Sequence, residues 1–200
     1  MQDRDALHKY WKNPTDENSP VAYAGGIRQG QRSEFLTGLF VDNFSDKNLS
    51  IMEIGCGVGR NLWYLRNAGY KHLYGIEIHE HKAKIAKMVD TKTTVYTGAV
   101  EDILPQVEPV DVIFAMATLM HIRTETDDFF EAISNNARLG IITIEFETTK
   151  KISARLTGRN YKDIFENSRF EQSLFYDEIP GLSAPYKARV FKLKGNHRHE

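Results

Sequence analysis

Apolar residues in this chain change their spacing from one segment to the next. Between residues 51 and 146, short apolar runs alternate with stretches whose apolar side chains recur every three or four positions. The runs Ile51 to Ile54, Leu73 to Glu77, Thr94 to Tyr96, Val110 to Met116 and Leu139 to Phe146 read as strands. The stretches Asn61 to Ala68 (stopped by Gly69), Glu80 to Val89 (with Ala83, Ile85, Ala86 and Met88 inward) and Thr126 to Ala137 read as helices. Val110 to Met116 is almost continuously apolar, as suits a parallel strand covered on both faces. Alternating strands and helices predict a parallel α/β sheet. Beyond it, Tyr161 to Ser168 reads as helix, and Phe170 to Tyr176 and Ala188 to Lys194 as strands without a helix between them, hence antiparallel. Ahead of it, Ser33 to Phe44 spaces Phe35, Leu36, Leu39 and Phe40 as a packing helix, and Asn13-Pro14 and Ser19-Pro20 bracket a turn. The expected fold is one three-layer α/β domain over residues 1–200, with seven strands, mostly parallel and one antiparallel near the C-terminus. It divides into a helical segment (1–48), an alternating core (49–147) and a closing segment (148–196).

Composition narrows the class. With 41% hydrophobic residues and a net charge of −1, the 200-residue chain is expected to fold as a single globular domain. Its one cysteine, Cys56, predicts a reducing, cytoplasmic setting. Neither a membrane-spanning run nor a signal peptide is expected from the apolar pattern. The charge is uneven: residues 1–150 hold 16 Lys+Arg and 21 Asp+Glu, whereas residues 151–200 hold 10 and 6. Such asymmetry bears on steering of anionic partners, or is simply an uneven solvated surface.

The first predicted strand runs into Glu53-Ile54-Gly55-Cys56-Gly57-Val58-Gly59. Glycines between a strand and a helix let backbone approach a ligand closely, and the helix start adds N–H donors. A dinucleotide fingerprint would need glycine where Arg60 stands, and a phosphate loop would need Gly-Lys-Ser/Thr. Glu53, two residues before Gly55, would repel a pyrophosphate but attract a cation. Glu77, 22 residues after Gly55, ends the second strand, where an acid can accept both hydroxyls of a ribose. Both acids suit a positively charged nucleoside without phosphate, a description met by S-adenosylmethionine (SAM). A tight turn without ligand is the plain alternative.

With these residues in place, the chain resembles the class I SAM-dependent methyltransferases, from about Ile51 to Glu147 and more weakly to Lys194. "MEIGCGVGR" looks like the family's first motif, "YGIEIHE" like the acidic end of its second strand, "TGAVEDIL" occupies the adenine-loop position, and "DVIFAMATLMHI" looks like the fourth-strand motif. The resemblance implies a Rossmann-like sheet and SAM as cofactor. It implies that Glu53, Gly55, Cys56, Gly57 and Gly59 line the methionine and sulfonium end, and that Glu77 with Ile78 holds the ribose. Val100 and Glu101 would edge the adenine and Met116 would flank the reacting face. Many relatives carry an acid after the adenine-loop glycine; here Ala99 stands there, which moves the expectation to Glu101. Cys56 has no evident partner base and reads as a small filler.

Methyl transfer needs a base only when the acceptor arrives protonated. His121, just past the fourth strand, and Glu145, near the end of the fifth, are the candidates; structural roles are the alternatives. The N-terminal segment reads as a lid. Its Tyr10, Trp11 and Tyr23 would exclude water and meet the sulfonium, and its Arg28 and Arg32 would pair with the cofactor carboxylate or an anionic acceptor. Arg159, Tyr161 and Lys162 offer another acceptor wall. Met116-Ala117-Thr118-Leu119 does not match the Asn/Asp-Pro-Pro-aromatic tetrapeptide of amino-group methylation, and Asp111 should point to the wrong end of the sheet for a magnesium site. No metal is expected; His197 and His199 read as a solvated tail. The reading is a methyltransferase acting on an oxygen or nitrogen of a small molecule, neutral or anionic. The alternatives are RNA or protein as acceptor, or a SAM-binding module without transfer.

Overall fold

The computed structural model describes residues 4–13, 15, 19–20, 24–123, 128–148, 156–183 and 185–195. Tyr23, His197 and His199 lie outside the described residues. The chain opens with α1 (Arg4–Lys12) and α2 (Ile27–Asn43). There follow β1 (Ser50–Ile54), α3 (Arg60–Asn67), β2 (His72–Glu77), α4 (Glu80–Val89), β3 (Thr94–Thr97) and the short α5 (Val100–Ile103). The second half holds β4 (Val110–Met116), α6 (Asp128–Asn136), β5 (Ala137–Phe146), α7 (Tyr161–Glu166), β6 (Phe170–Tyr176) and β7 (Tyr186–Leu193). Among the described residues no helix is long and apolar enough to cross a membrane.

The seven strands form one sheet in the order β3-β2-β1-β4-β5-β7-β6. Strands β1 to β5 pair in parallel, and β7 runs antiparallel to both β5 and β6. The expected sheet, with its one reversed strand, is thus the observed one. No crossover helix separates β6 from β7, so the return must be antiparallel.

Period-two alternation sorts the core. Val112, Phe114 and Met116 of β4 join Leu36, Phe40, Leu62 and Ala86 in one cluster. Ile113 and Ala115 join Leu104, Phe130, Ile133 and Phe165 in the other. Helices α2, α3 and α4 therefore cover one face and α5, α6 and α7 the other. Two local expectations change. Helix α2 begins at Ile27 rather than Ser33, because its first turns are polar and Ile27 itself is exposed. On α4, Met88 faces solvent while Lys82 is buried, its charge drawn toward Glu77.

Strand order reverses direction between β1 and β4, so the loops leaving these two strands diverge. The gap between them, at the C-terminal ends of the parallel strands, is where such sheets bind ligands.

Candidate active site

The glycine loop leaves β1 with Gly55, Gly57 and Gly59 at φ of +72°, +55° and +80°, a region that L side chains pay about 1–2 kcal/mol to enter. The three glycines do different things. A Cβ on Gly55 would lie 2.3 Å from Thr118 Oγ1, so its absence lets the loop after β4 pack on the glycine loop. A Cβ on Gly59 would lie 3.0 Å from Ala86 Cβ, so Gly59 admits α4. Only at Gly57 is there open space, and that space is the cleft.

The cleft is lined by Trp11, Arg32, Glu53, Gly55, Cys56, Gly57, Glu77, Ile78, Val100, Glu101, Met116 and His121, all expected from the sequence. Gly59 is a correction: it lies outside the lining and serves helix packing. Cys56 is buried, its Sγ filling the space beside Gly75, and burial with the nearby Glu53 and Glu77 charges pushes its thiol well up. It is an unreactive filler, as expected.

Glu53 is 1% exposed and accepts from Asn61 Nδ2 at 2.7 Å, while its Oε2 has no protein partner. Burial raises its pKa to about 8 against the pull of Asn61 and Arg60. Asn61 in turn accepts from Ser33 Oγ at 2.6 Å, and Arg60 Nε donates to that hydroxyl at 2.9 Å. The Glu77 carboxylate accepts the N–H of Gly57 and of His79, each at 2.8 Å, so the second strand's acid also shapes the loop of the first. Burial raises its pKa, opposed by those hydrogen bonds and Lys82.

Helix α1 lies across the cleft. Arg4 reaches Asp102 at 2.6 Å, His8 Nε2 stands 3.3 Å from Glu101 Oε1, and Leu7 is buried. The Trp11 and His121 rings meet at 4.5 Å between centroids. The expected adenine-edge acid, Glu101, is thus already engaged by the helix. Arg32 donates Nε to the Gly181 carbonyl at 2.8 Å, and burial lowers its pKa. Arg28 does not line the cleft.

Glu145 is the larger correction. It is fully buried, lies outside the cleft lining, and receives backbone N–H donors from Thr118, Leu119 and Met120 at 2.9, 3.0 and 3.3 Å. Its position one residue from the end of β5 suggested the ligand edge, but pleat parity turns it beneath the sheet. Tyr161 and Arg159 likewise form no acceptor wall: Tyr161 is fully buried, and Arg159 donates to the Leu119 and Ile122 carbonyls at 2.9 and 2.7 Å. Lys162 lies 3.9 Å from Glu166 on a partly exposed face.

Sequence reasoning missed Arg4, His8, Gln29, Arg60, Asn61, Lys82, Thr118 and Arg123 in the lining. For α1 a signal existed: Arg4, Leu7, His8 and Trp11 stand at i, i+3, i+4 and i+7, one helical face. For Asn61 nothing marked it apart from its place in the helix's first turn.

Comparison with known proteins shows what part of the chain is similar to. Residues 52–140 match the family model described as "Methyltransferase domain". The tRNA U34 carboxymethyltransferase of Colwellia psychrerythraea is 28% identical over 120 residues, which are 57% of this chain and 37% of that protein. Protein arginine N-methyltransferase 1 of Chlamydomonas reinhardtii is 38% identical over 77 residues, 36% of this chain and 22% of that one. This chain therefore spans well under half the length of these curated relatives. In fold, it is similar to the magnesium protoporphyrin IX methyltransferase of Synechocystis PCC 6803, solved with SAM bound. There the TM-score is 0.72 at 18% identity, over 96% of both chains.

Proposed function

We propose that this class I, SAM-dependent methyltransferase transfers a methyl group to an oxygen or nitrogen of a small-molecule acceptor. The observation that carries the acceptor's size is the cover. With α1 latched to Glu101 and Asp102 and stacked on His121, acceptor and cofactor would share a cleft partly covered by the helix, a cover that a polymer chain would have to displace to lie across it.

The residues fit SAM. A buried, unpartnered Glu53 Oε2 suits an ammonium group, the open space at Gly57 suits close backbone approach, and Glu77 suits a ribose. When bound, SAM supplies a methyl carbon already activated by its sulfonium. In this reading Glu53, Gly55, Cys56 and Gly57 hold the methionine end, Glu77 and Ile78 the ribose, and Val100 and Glu101 the adenine edge. Met116 and Trp11 wall the reacting face and exclude water. Arg32 pairs with a carboxylate, the cofactor's or the acceptor's. An imidazole nitrogen of His121 takes the proton when the acceptor arrives as O–H or N–H.

The test is methyl transfer from labelled SAM into three separated extracts: small metabolites, transfer RNA and proteins. Label in the small-metabolite fraction supports the reading. Label confined to RNA or protein replaces it with the second reading, which the curated relatives and the basic residues 151–200 favour. Cofactor binding by calorimetry with no label anywhere leaves a binding module.

A further inference from the structure

The turn that carries His121 has almost no support of its own. It leaves β4 through Ala117 at φ +55°, the described non-glycine residue on the left-handed side, and makes a single 3-10 turn, Leu119–His121. Single turns of this kind leave most of their backbone groups without internal partners. Here those groups are satisfied from two sides. On one edge the N–H groups of Thr118, Leu119 and Met120 all converge on the two oxygens of Glu145. On the other edge, Arg159 Nη1 and Nη2 donate to the Leu119 and Ile122 carbonyls, and the Thr157 N–H donates to the Met120 carbonyl at 2.8 Å. Within the turn, the His121 N–H bonds back to the Thr118 carbonyl at 2.9 Å and the Ile122 N–H to the Leu119 carbonyl at 3.1 Å.

Both clamping groups are themselves fixed. Glu145 sits in β5, paired with Lys187 of β7, and is wholly enclosed. The Arg159 guanidinium lies over the Phe130 ring at 5.1 Å. The turn's first side chain, Thr118, rests on Gly55, so the same clamp that holds His121 holds the turn against the glycine loop.

We propose that Glu145 and Arg159 are positioning residues for methyl transfer: gripping opposite edges of the 118–122 turn, they set His121 relative to the glycine loop and Trp11. Neither touches the reacting atoms. This rests on the reading that His121 acts at the acceptor, and on a geometric premise that holds without it. Charged acceptors and donors are chosen for a reason. A carboxylate presents enough lone pairs for three N–H groups, and a guanidinium reaches two carbonyls at once from a planar fork.

The experiment reads the turn through Trp11. The chain has two tryptophans, so Trp63→Phe leaves Trp11 as the sole indole reporter. Protonated imidazole in ring contact quenches indole, so the emission of that protein should fall in a step on acidification. His121→Phe should abolish the step. Glu145→Gln and Arg159→Met are then compared in the same background. Circular dichroism and S-adenosylhomocysteine affinity monitor the fold and the cofactor half. The expected result is a step reduced at least twofold in each variant, with affinity within about threefold of the parent. Arg159→Lys, which keeps a donor, should recover part of the step. With an acceptor in hand, kcat should fall at least tenfold while the KM for SAM stays put. A full step and full kcat in both folded variants would overturn the proposal. If the parent shows the step and the variants lose it, but His121→Ala leaves kcat unchanged, the positioning geometry stands and the catalytic reading of His121 falls.

Discussion

Asn61 donates from Nδ2 to Glu53 Oε1 at 2.7 Å, tying the first turn of α3 to the end of β1. The bond uses one oxygen of the carboxylate and leaves the other without a protein partner. A buried acid with one oxygen held and one open is oriented before any ligand arrives. Glu53→Gln keeps the shape and removes the negative charge that the acid takes on when an ammonium group binds beside it. Charged hydrogen bonds are worth roughly 1.5–3 kcal/mol, so S-adenosylhomocysteine affinity should fall at least tenfold by calorimetry. Methylthioadenosine, which lacks the amino-acid end, should bind the variant as it binds the parent.

The buried acids make ligand-free stability depend on pH. Glu53 titrates at about 8 and Glu145 at about 7 in the folded chain, both raised from an ordinary 4.5 by burial. The folded state thus holds these protons more tightly than the unfolded state does. Their contribution is fully present below about pH 4.5 and is lost as pH rises through 7 and 8. The thermal midpoint of the cofactor-free protein should fall between pH 5 and 8.5, once other groups are matched by comparing variants. Glu53→Gln should flatten the upper part of that slope.

His121→Ala should lower turnover at least tenfold with S-adenosylhomocysteine affinity little changed. Unaltered turnover would remove His121 from the chemistry.

Gly55 and Gly57 separate packing from binding. Gly55→Ala drives a methyl into Thr118 at 2.3–2.9 Å and strains a left-handed residue, so the protein should melt at a lower temperature and bind cofactor poorly. Gly57→Ala meets no neighbour and carries only the backbone strain of about 1–2 kcal/mol. It should stay folded and lose cofactor affinity, because the methyl occupies the ligand's space.

The floor of the cleft was readable because its residues lie on adjacent strand ends and loops. Glu53, the glycine loop, Glu77 and Met116 are each placed by a strand ending at one edge of a parallel sheet, and strand ends show as changes of period. The lid helix was anticipated as a segment, but its latches to Glu101 and Asp102 join residues more than ninety positions apart. No local pattern encodes such a pairing. For Glu145, distance along β5 alone places it near the ligand edge, whereas pleat geometry turns its side chain away from the cleft. Ile142 and Ile144 pack on the side of α2 and α3, so Glu145, one step on, points the other way.

By itself, the sequence determined the sheet, its one reversed strand and the acids that suit a cationic nucleoside, since hydrophobic period and glycine placement act locally. Only the tertiary structure decided which residues around those acids line the cleft and which lie buried behind it, bonded to its backbone. That division depends on which face a side chain takes and which distant backbone group needs a partner. Both become defined only when β5, the 156–160 segment and the turn after β4 come together.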